Sequence, residues 1–163
     1  MKHPITKTRN GIAVYVDLVR SQAATHIARQ PYLLELVKEL VEKTTATTPE
    51  VRINQDMGRD IGYSFIVETT DKDSILYAQP AHDDIYTRFV KNGTPTSTRY
   101  LTVILKRDDD GYELLDTWIG RLCPPRPGSD DETPSSKTYW SNHAYILDGQ
   151  HIQPRTVTRV CPY

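Results

Sequence analysis

Cysteine is scarce. Only Cys123 and Cys161 occur, each followed by a proline. With no CxxC pair, a zinc site built on thiolates has no basis in the sequence. Both are read as free thiols in a reducing compartment, and a disulfide between them is a question of geometry that spacing does not answer. Long apolar runs are missing too. The only candidate for a signal core, residues 11–19, is short and interrupted by Asp17, and no stretch approaches the roughly 20 apolar residues that cross a bilayer. The expectation is a soluble, cytoplasmic chain with no membrane partner. A charge excess of either sign is absent: 20 Lys+Arg against 21 Asp+Glu give a net −1, not the basic footprint usual for nucleic-acid binding. Also missing are the glycine-rich dinucleotide and phosphate loops, the HExxH zinc pair and the GxSxG nucleophile elbow. Their absence lowers the case for nucleotide-cofactor enzymes, zinc proteases and α/β hydrolases, and no cofactor or metal is expected.

What is present has the composition of a globular domain: 163 residues, 37% hydrophobic and 25% charged. That length suits one domain with its own core, so residues 1–163 are read as a single domain. Ten tyrosines stand against two phenylalanines. Their polar tips suit half-exposed strand positions or a groove. Charge is also unevenly placed. From His82 to Arg107 five positives face two negatives, and from Asp108 to Glu132 eight negatives face two positives. A phosphate chain would fit the first stretch.

Periodicity divides the chain at Pro49. Before it, Ile12, Tyr15, Val16, Val19, Ala23 and Ile27 recur at helical spacing. Leu33, Leu36, Val37, Leu40 and Val41 form a second stripe behind Pro31, which suits a first helical turn. Residues 1–48 are therefore read as helical and 49–163 as a β-meander. In the meander, 51–57 and 63–69 read as a hairpin around Gly58-Arg59-Asp60-Ile61-Gly62, and 71–81 as a short helix or loop. A strand follows at 85–91. The clearest strand is 100–106, turned at Asp108-Asp109-Asp110-Gly111 into its partner at 112–119. Four prolines make 120–136 a loop, 139–147 is a last core element of either type, and 155–160 is a short β-like run. Helices first and strands after imply an α+β fold with N-terminal helices packed on an antiparallel sheet.

Among residues able to do chemistry, histidines come first, because imidazole titrates nearest neutral pH. His82 follows Pro80-Ala81 and His143 sits in Trp140-Ser141-Asn142-His143-Ala144. Either alone reads as an ordinary hydrogen-bonded side chain. Arg88, between Thr87 and Phe89, is a solvated strand arginine or an anion fork. Thr98 and Thr102 share a face if one strand holds both, though threonine is a favoured strand residue in any case. Asp56 and Asp60 flank Gly58-Arg59 and read as turn-formers ahead of metal ligands.

The run His82…Thr87-Arg88-Phe89-Val90-Lys91…Pro95…Thr98…Leu101-Thr102-Val103-Ile104-Leu105, then 112–120, then Ser136…Tyr139-Trp140-Ser141-Asn142-His143-Ala144, resembles bacterial and phage-encoded members of the barnase/EndoU/colicin/RelE superfamily of ribonuclease toxins. The resemblance covers about half the chain, from His82 to Leu147. It implies a helical part ahead of a curved four-stranded antiparallel sheet whose concave face binds RNA, and metal-independent cleavage by attack of the ribose 2′-hydroxyl on the adjacent phosphorus. Carried onto this sequence, it makes His82 and His143 the proton-transfer groups and Arg88 the phosphate clamp. Thr98 or Thr102 becomes a hydrogen-bond donor and Trp140 a stacking platform for a base, with Lys91 beside them as a substrate-binding cation. An immunity protein or antitoxin is the implied protein partner. The alternative is a non-catalytic binding domain, itself an immunity protein or phage-encoded regulator, that meets another protein through the acidic, proline-rich 124–134 segment. An ADP-ribosyl transferase is a third reading, weakened by the lack of a glutamate in a strand-end setting.

Overall fold

Two strands, not a helix, open the chain. β1 (Lys2–Lys7) pairs antiparallel with β2 (Ala13–Asp17), placing Val14, Tyr15 and Val16 at 0%, 7% and 3% exposure. β-Branched and aromatic residues favour strands. When a strand is covered on both faces its apolar run loses alternation, and this one imitates a helical stripe. The expectation of helix over residues 1–48 is corrected for that stretch. Helix begins only at α1 (Gln22–Arg29), where Ser21 accepts the Ala23 N–H as its cap. α2 (Leu33–Glu42) buries Leu33, Leu36, Val37, Leu40 and Val41, the stripe read from sequence. It ends where the Thr44 hydroxyl turns back onto the Leu40 carbonyl.

The remaining elements are β3 (Glu50–Asp56), β4 (Gly62–Ser64), β5 (Ile66–Glu68), β6 (Ile75–Ala78), β7 (Thr87–Val90), β8 (Thr96–Thr98), β9 (Tyr100–Asp108), β10 (Gly111–Ile119), α3 (Ser136–Trp140) and β11 (His143–Ile146). The structure is a computed structural model that describes residues 2–81, 83–148 and 150–163. It is mixed α+β and forms two compact units, Met1–Gly62 with Ser97–Leu122, and Tyr63–Thr96 with Cys123–Tyr163. The passages between units fall within β4, within β8 and after Leu122. No helix among the described residues is long and apolar enough to cross a membrane.

The first unit holds a five-stranded sheet in the order β1-β2-β10-β9-β3. It is not purely antiparallel, because β2 and β10 run parallel, with Val14 beside Tyr112. That pairing joins residues nearly a hundred positions apart, which no local turn signal encodes. The expected hairpin of 51–57 with 63–69 is likewise corrected. β3 pairs with β9 and β5 with β11. The Asp56 carboxylate instead closes a turn on the Gly58 N–H at 2.8 Å. The β9–β10 hairpin forms as expected, its turn fixed by the Asp108 carboxylate on the Asp110 N–H. Gly111 (φ +138°) passes so close to β2 that an added Cβ would sit 2.3 Å from the Ala13 carbonyl oxygen. Val14, Val16, Leu101, Val103, Leu105 and Leu114 form one core with the buried faces of α1 and α2.

Below its pairing with β2, β10 leaves carbonyls on a bare edge, and α1 satisfies them. The Ser21 hydroxyl donates to Leu114 O (2.9 Å), and His26 Nδ1 reaches Thr117 O (2.9 Å). A backbone edge without partners would cost stability and invite further strands.

The second unit holds a four-stranded sheet in the order β5-β11-β7-β6, again mixed, with β7 and β11 parallel. Its two faces carry separate small cores, Leu76, Ala78 and Phe89 on one and Val90, Ala144 and Ile146 on the other. The β-like run expected at 155–160 is corrected to a 3-10 turn at Pro154–Thr156 and a single bridge, Tyr77 to Thr158. Pro154 lacks the N–H a strand ladder needs.

Candidate functional site

The residues proposed to act together fall in different places. Thr98 and Thr102 lie in the first unit, and Arg88, Lys91, Trp140 and His143 in the second. His82 lies outside the described residues. Thr98 and Thr102 do not share a strand, because β8 ends at Thr98 and β9 starts at Tyr100. The Thr98 hydroxyl accepts the Tyr100 N–H across that break. Thr102 is 0% exposed, and its hydroxyl donates to Gly120 O at 2.9 Å and accepts from Asn54 Nδ2 at 3.0 Å. It joins three stretches of backbone and has no donor to offer a substrate.

Trp140 is corrected from a base-stacking platform to a core residue. Its ring is 1% exposed, stacked on Tyr145 at 5.3 Å, and its Nε1 donates to Pro124 O at 3.0 Å. A ring with both faces covered cannot receive a base. Burial of so large a side chain in a short helix is what tethers the proline-rich segment. Lys91 is exposed and borders an open cavity of about 540 Å³ with Asn92, Gly93, Thr94, Leu147 and Asp148.

Arg88 and His143 sit on neighbouring strands but leave opposite faces of the sheet. Tyr145 lies beside Phe89 and Ile146 beside Val90, so Ala144 accompanies Arg88 and His143 accompanies Thr87. Side chains alternate along a strand, and partners share a face. The imidazole stacks on Tyr139 (3.9 Å, 5°). Its Nδ1 meets Tyr139 O at 2.9 Å and Asn142 Oδ1 at 2.6 Å. Both are acceptors, so Nδ1 carries a hydrogen, and the tautomer this geometry selects has its lone pair on Nε2. Arg88 is 9% exposed, with Nη1 donating to Thr69 Oγ1 (2.7 Å) and to the His143 carbonyl (3.1 Å). Its Nε is buried with no partner.

Around Arg88 the structure gathers residues that sequence reading passed over. Tyr77 on β6 lies opposite Arg88, and the Tyr163 ring meets Tyr77 edge-on at 5.9 Å. Burial pushes the Tyr163 phenol up to about 12, with the nearby Tyr77 and Cys161 adding to it, so its hydroxyl stays protonated; that hydroxyl too is buried without a partner. Tyr77 is raised as well, by burial first, against the opposing pull of the Arg88 guanidinium nearby. The tyrosine excess was the available signal, but composition does not say which rings converge.

Arg126 was also passed over. Its guanidinium forks onto Asp83 (Nη2 to Oδ2, 2.7 Å) and Thr87 Oγ1 (Nη1, 2.5 Å). An arginine alone among acids and prolines was the sequence signal. Farther along that segment Glu132 accepts the Gly128 N–H at 2.6 Å, and residues 130–135 are exposed. The Asp56-Met57-Gly58-Arg59 motif has a structural use. Arg59 bridges Glu39 of α2 (2.9 Å), while Asp56 pairs with Arg99 (3.0 Å). The Gly58 N–H first, with Arg99, holds the Asp56 carboxyl below the usual carboxylate range. Among the described residues no cluster of three His, Cys, Asp or Glu side chains is placed to hold a metal, and Cys123 and Cys161 form no disulfide.

Comparison with known proteins adds nothing to this picture: no protein-family model, curated protein or solved structure matches the chain.

Proposed function

We propose that the chain is a binding domain that meets a protein partner through its acidic, proline-rich loop. The observation that carries this reading is the way the loop is built. Its base is anchored by the Arg126 fork and by the Trp140 bond to Pro124 O, while Asp130, Asp131 and Glu132 occupy the exposed stretch beyond it. A loop held at its base loses less conformational entropy on binding than a free one, and a carboxylate cluster selects a basic surface and speeds encounter. The partner class is therefore a protein with a lysine- and arginine-rich face, as expected if this chain is an immunity protein or a regulator. The test is titration against the protein encoded beside it, across a salt series. Binding should weaken as salt rises and weaken further in Asp130→Lys/Asp131→Lys. Binding indifferent to both salt and charge reversal refutes the reading.

A second reading, a metal-independent ribonuclease of toxin type, is favoured by one observation. His143 is partly exposed, with Nδ1 hydrogen-bonded and no hydrogen bond to Nε2 among the described residues, the arrangement a general base needs. In this reading the sheet is the curved platform with helices on one face, RNA is the substrate, an inhibitor protein is the partner and the cytoplasm is the place of action. Arg88 and Thr102 contribute stability to it, not chemistry. Cellular RNA incubated with the purified chain in EDTA should be cleaved, and His143→Ala should abolish cleavage. RNA left intact by the wild-type chain ends this reading without touching the first.

A further inference from the structure

We propose that Arg88, Tyr77 and Tyr163 form a binding site for a small oxyanion, a phosphate or carboxylate group, inside the second unit and closed by the segment 157–163. The inference does not depend on the acidic loop.

An arginine whose side chain is buried to this extent needs a counter-charge, because burying an isolated ion is strongly unfavourable. Arg88 has none: among the described residues it enters no ion pair. Its hydrogen bonds go to two neutral oxygens, Thr69 Oγ1 and His143 O, and both come from Nη1. The opposite edge, Nε with Nη2, makes no hydrogen bond among the described residues, and Nε is fully buried. That edge carries two parallel donors, the arrangement that matches two oxygens of one carboxylate or phosphate.

The other buried side-chain atom without a partner among the described residues belongs to a second neighbour of Tyr77. The Tyr163 hydroxyl is buried with no partner, on a ring packed against Tyr77, the residue opposite Arg88 on the neighbouring strand. Buried polar groups are nearly always satisfied, so two orphans on residues that both neighbour Tyr77 mark a missing acceptor. One oxyanion supplies acceptors to both. Among the described residues, the titratable side chains acting on Tyr77 and Tyr163 are Arg88, Cys161 and each other, with no side-chain carboxylate among them.

The closing segment is lightly held. Its backbone ties to the sheet through the paired bonds between Tyr77 and Thr158 (2.7 and 2.9 Å), and Val157 and Val160 are 44% and 74% exposed. Entry of a ligand requires this segment to lift, and a bound anion, held partly by Tyr163, locks it down.

The test is calorimetric titration of the full chain with inorganic phosphate, phenyl phosphate and acetate. We expect saturable one-site binding of at least one of them. Phosphate or phenyl phosphate without acetate assigns a phosphoryl ligand, phenyl phosphate also reports whether an ester fits, and acetate binding assigns a carboxylate. Arg88→Lys keeps the charge but loses the fork and should weaken binding roughly tenfold or more. Tyr163→Phe should weaken it several-fold while leaving the fold intact, and it decides the matter if the arginine variant fails to fold. Hydrogen exchange at the Thr158 amide should slow when the ligand is present. No saturable binding of any of the three anions overturns the proposal, as does undiminished binding by Tyr163→Phe.

Discussion

Gly111→Ala should be among the most damaging single-methyl additions in the first unit. The cost has two parts. At φ +138° an L side chain is strained, which costs about 1–3 kcal/mol. The new Cβ would also lie 2.3 Å from Ala13 O, 0.7 Å inside the 3.0 Å that real Cβ atoms respect, and what it meets is backbone that cannot rotate away. Relief requires β2 and β10 to separate where Val14 meets Tyr112, an overpacking cost of about 1–3 kcal/mol. The sum is roughly 4 kcal/mol, a large share of the ~5–15 kcal/mol that usually stabilises a domain. Gly58→Ala is the internal control. Its φ is +81°, but nothing lies within 4 Å of the added atom, so only the conformational cost of about 1–2 kcal/mol remains. Urea denaturation of the two variants, followed by tryptophan fluorescence and far-UV circular dichroism, isolates the contact by difference. If Gly111→Ala loses no more stability than Gly58→Ala, the close passage of β10 over β2 is wrong.

His26 links stability to pH. Burial alone lowers its pKa, but the Asp116 carboxylate and the Thr117 carbonyl outweigh it and leave the folded value raised above 6.5. The folded state thus holds the proton more tightly. The stabilisation is fully present below the ordinary histidine value and is lost as pH rises through the raised one, and denaturation curves through that window should lose their pH slope in Asp116→Asn. Arg126→Ala should cost about 3 kcal/mol, because it leaves a mostly buried carboxylate without its fork, and proteolysis should then cut within 124–135. Thr102→Val should cost about 1–3 kcal/mol by stranding buried partners, with no effect on any RNA cleavage.

The parts legible in sequence were those whose partners lie nearby. The α2 stripe follows from 3.6-residue spacing, and the β9–β10 hairpin follows from alternation on either side of an aspartate-rich turn. The rest depends on distant pairing. Nothing near Val14 announces Tyr112 as its neighbour, and doubly covered β2 discards the alternation that identifies strands. At the candidate site, residue types were found but directions were not. The sequence around Arg88 fits a solvated or an anion-seeking arginine equally, and in the structure it is buried with Nε unsatisfied. His143 differs from it by one step of strand parity, which shifts its side chain to the other face. Tyr163 and Tyr77 lie 86 positions apart in the chain, and only the sheet brings their rings together.

Because each unit is assembled from two stretches of chain with part of the other intervening, the two are braided along the polypeptide. No single cut separates them, and neither can be produced as one uninterrupted fragment. On the ribosome β2 waits for β10, nearly a hundred residues later, before its parallel ladder closes. Such long closures slow folding. Dissecting this protein therefore calls for circular permutation or point substitution, and a truncation that stops before Ile119 should yield an incomplete sheet, not a smaller working piece.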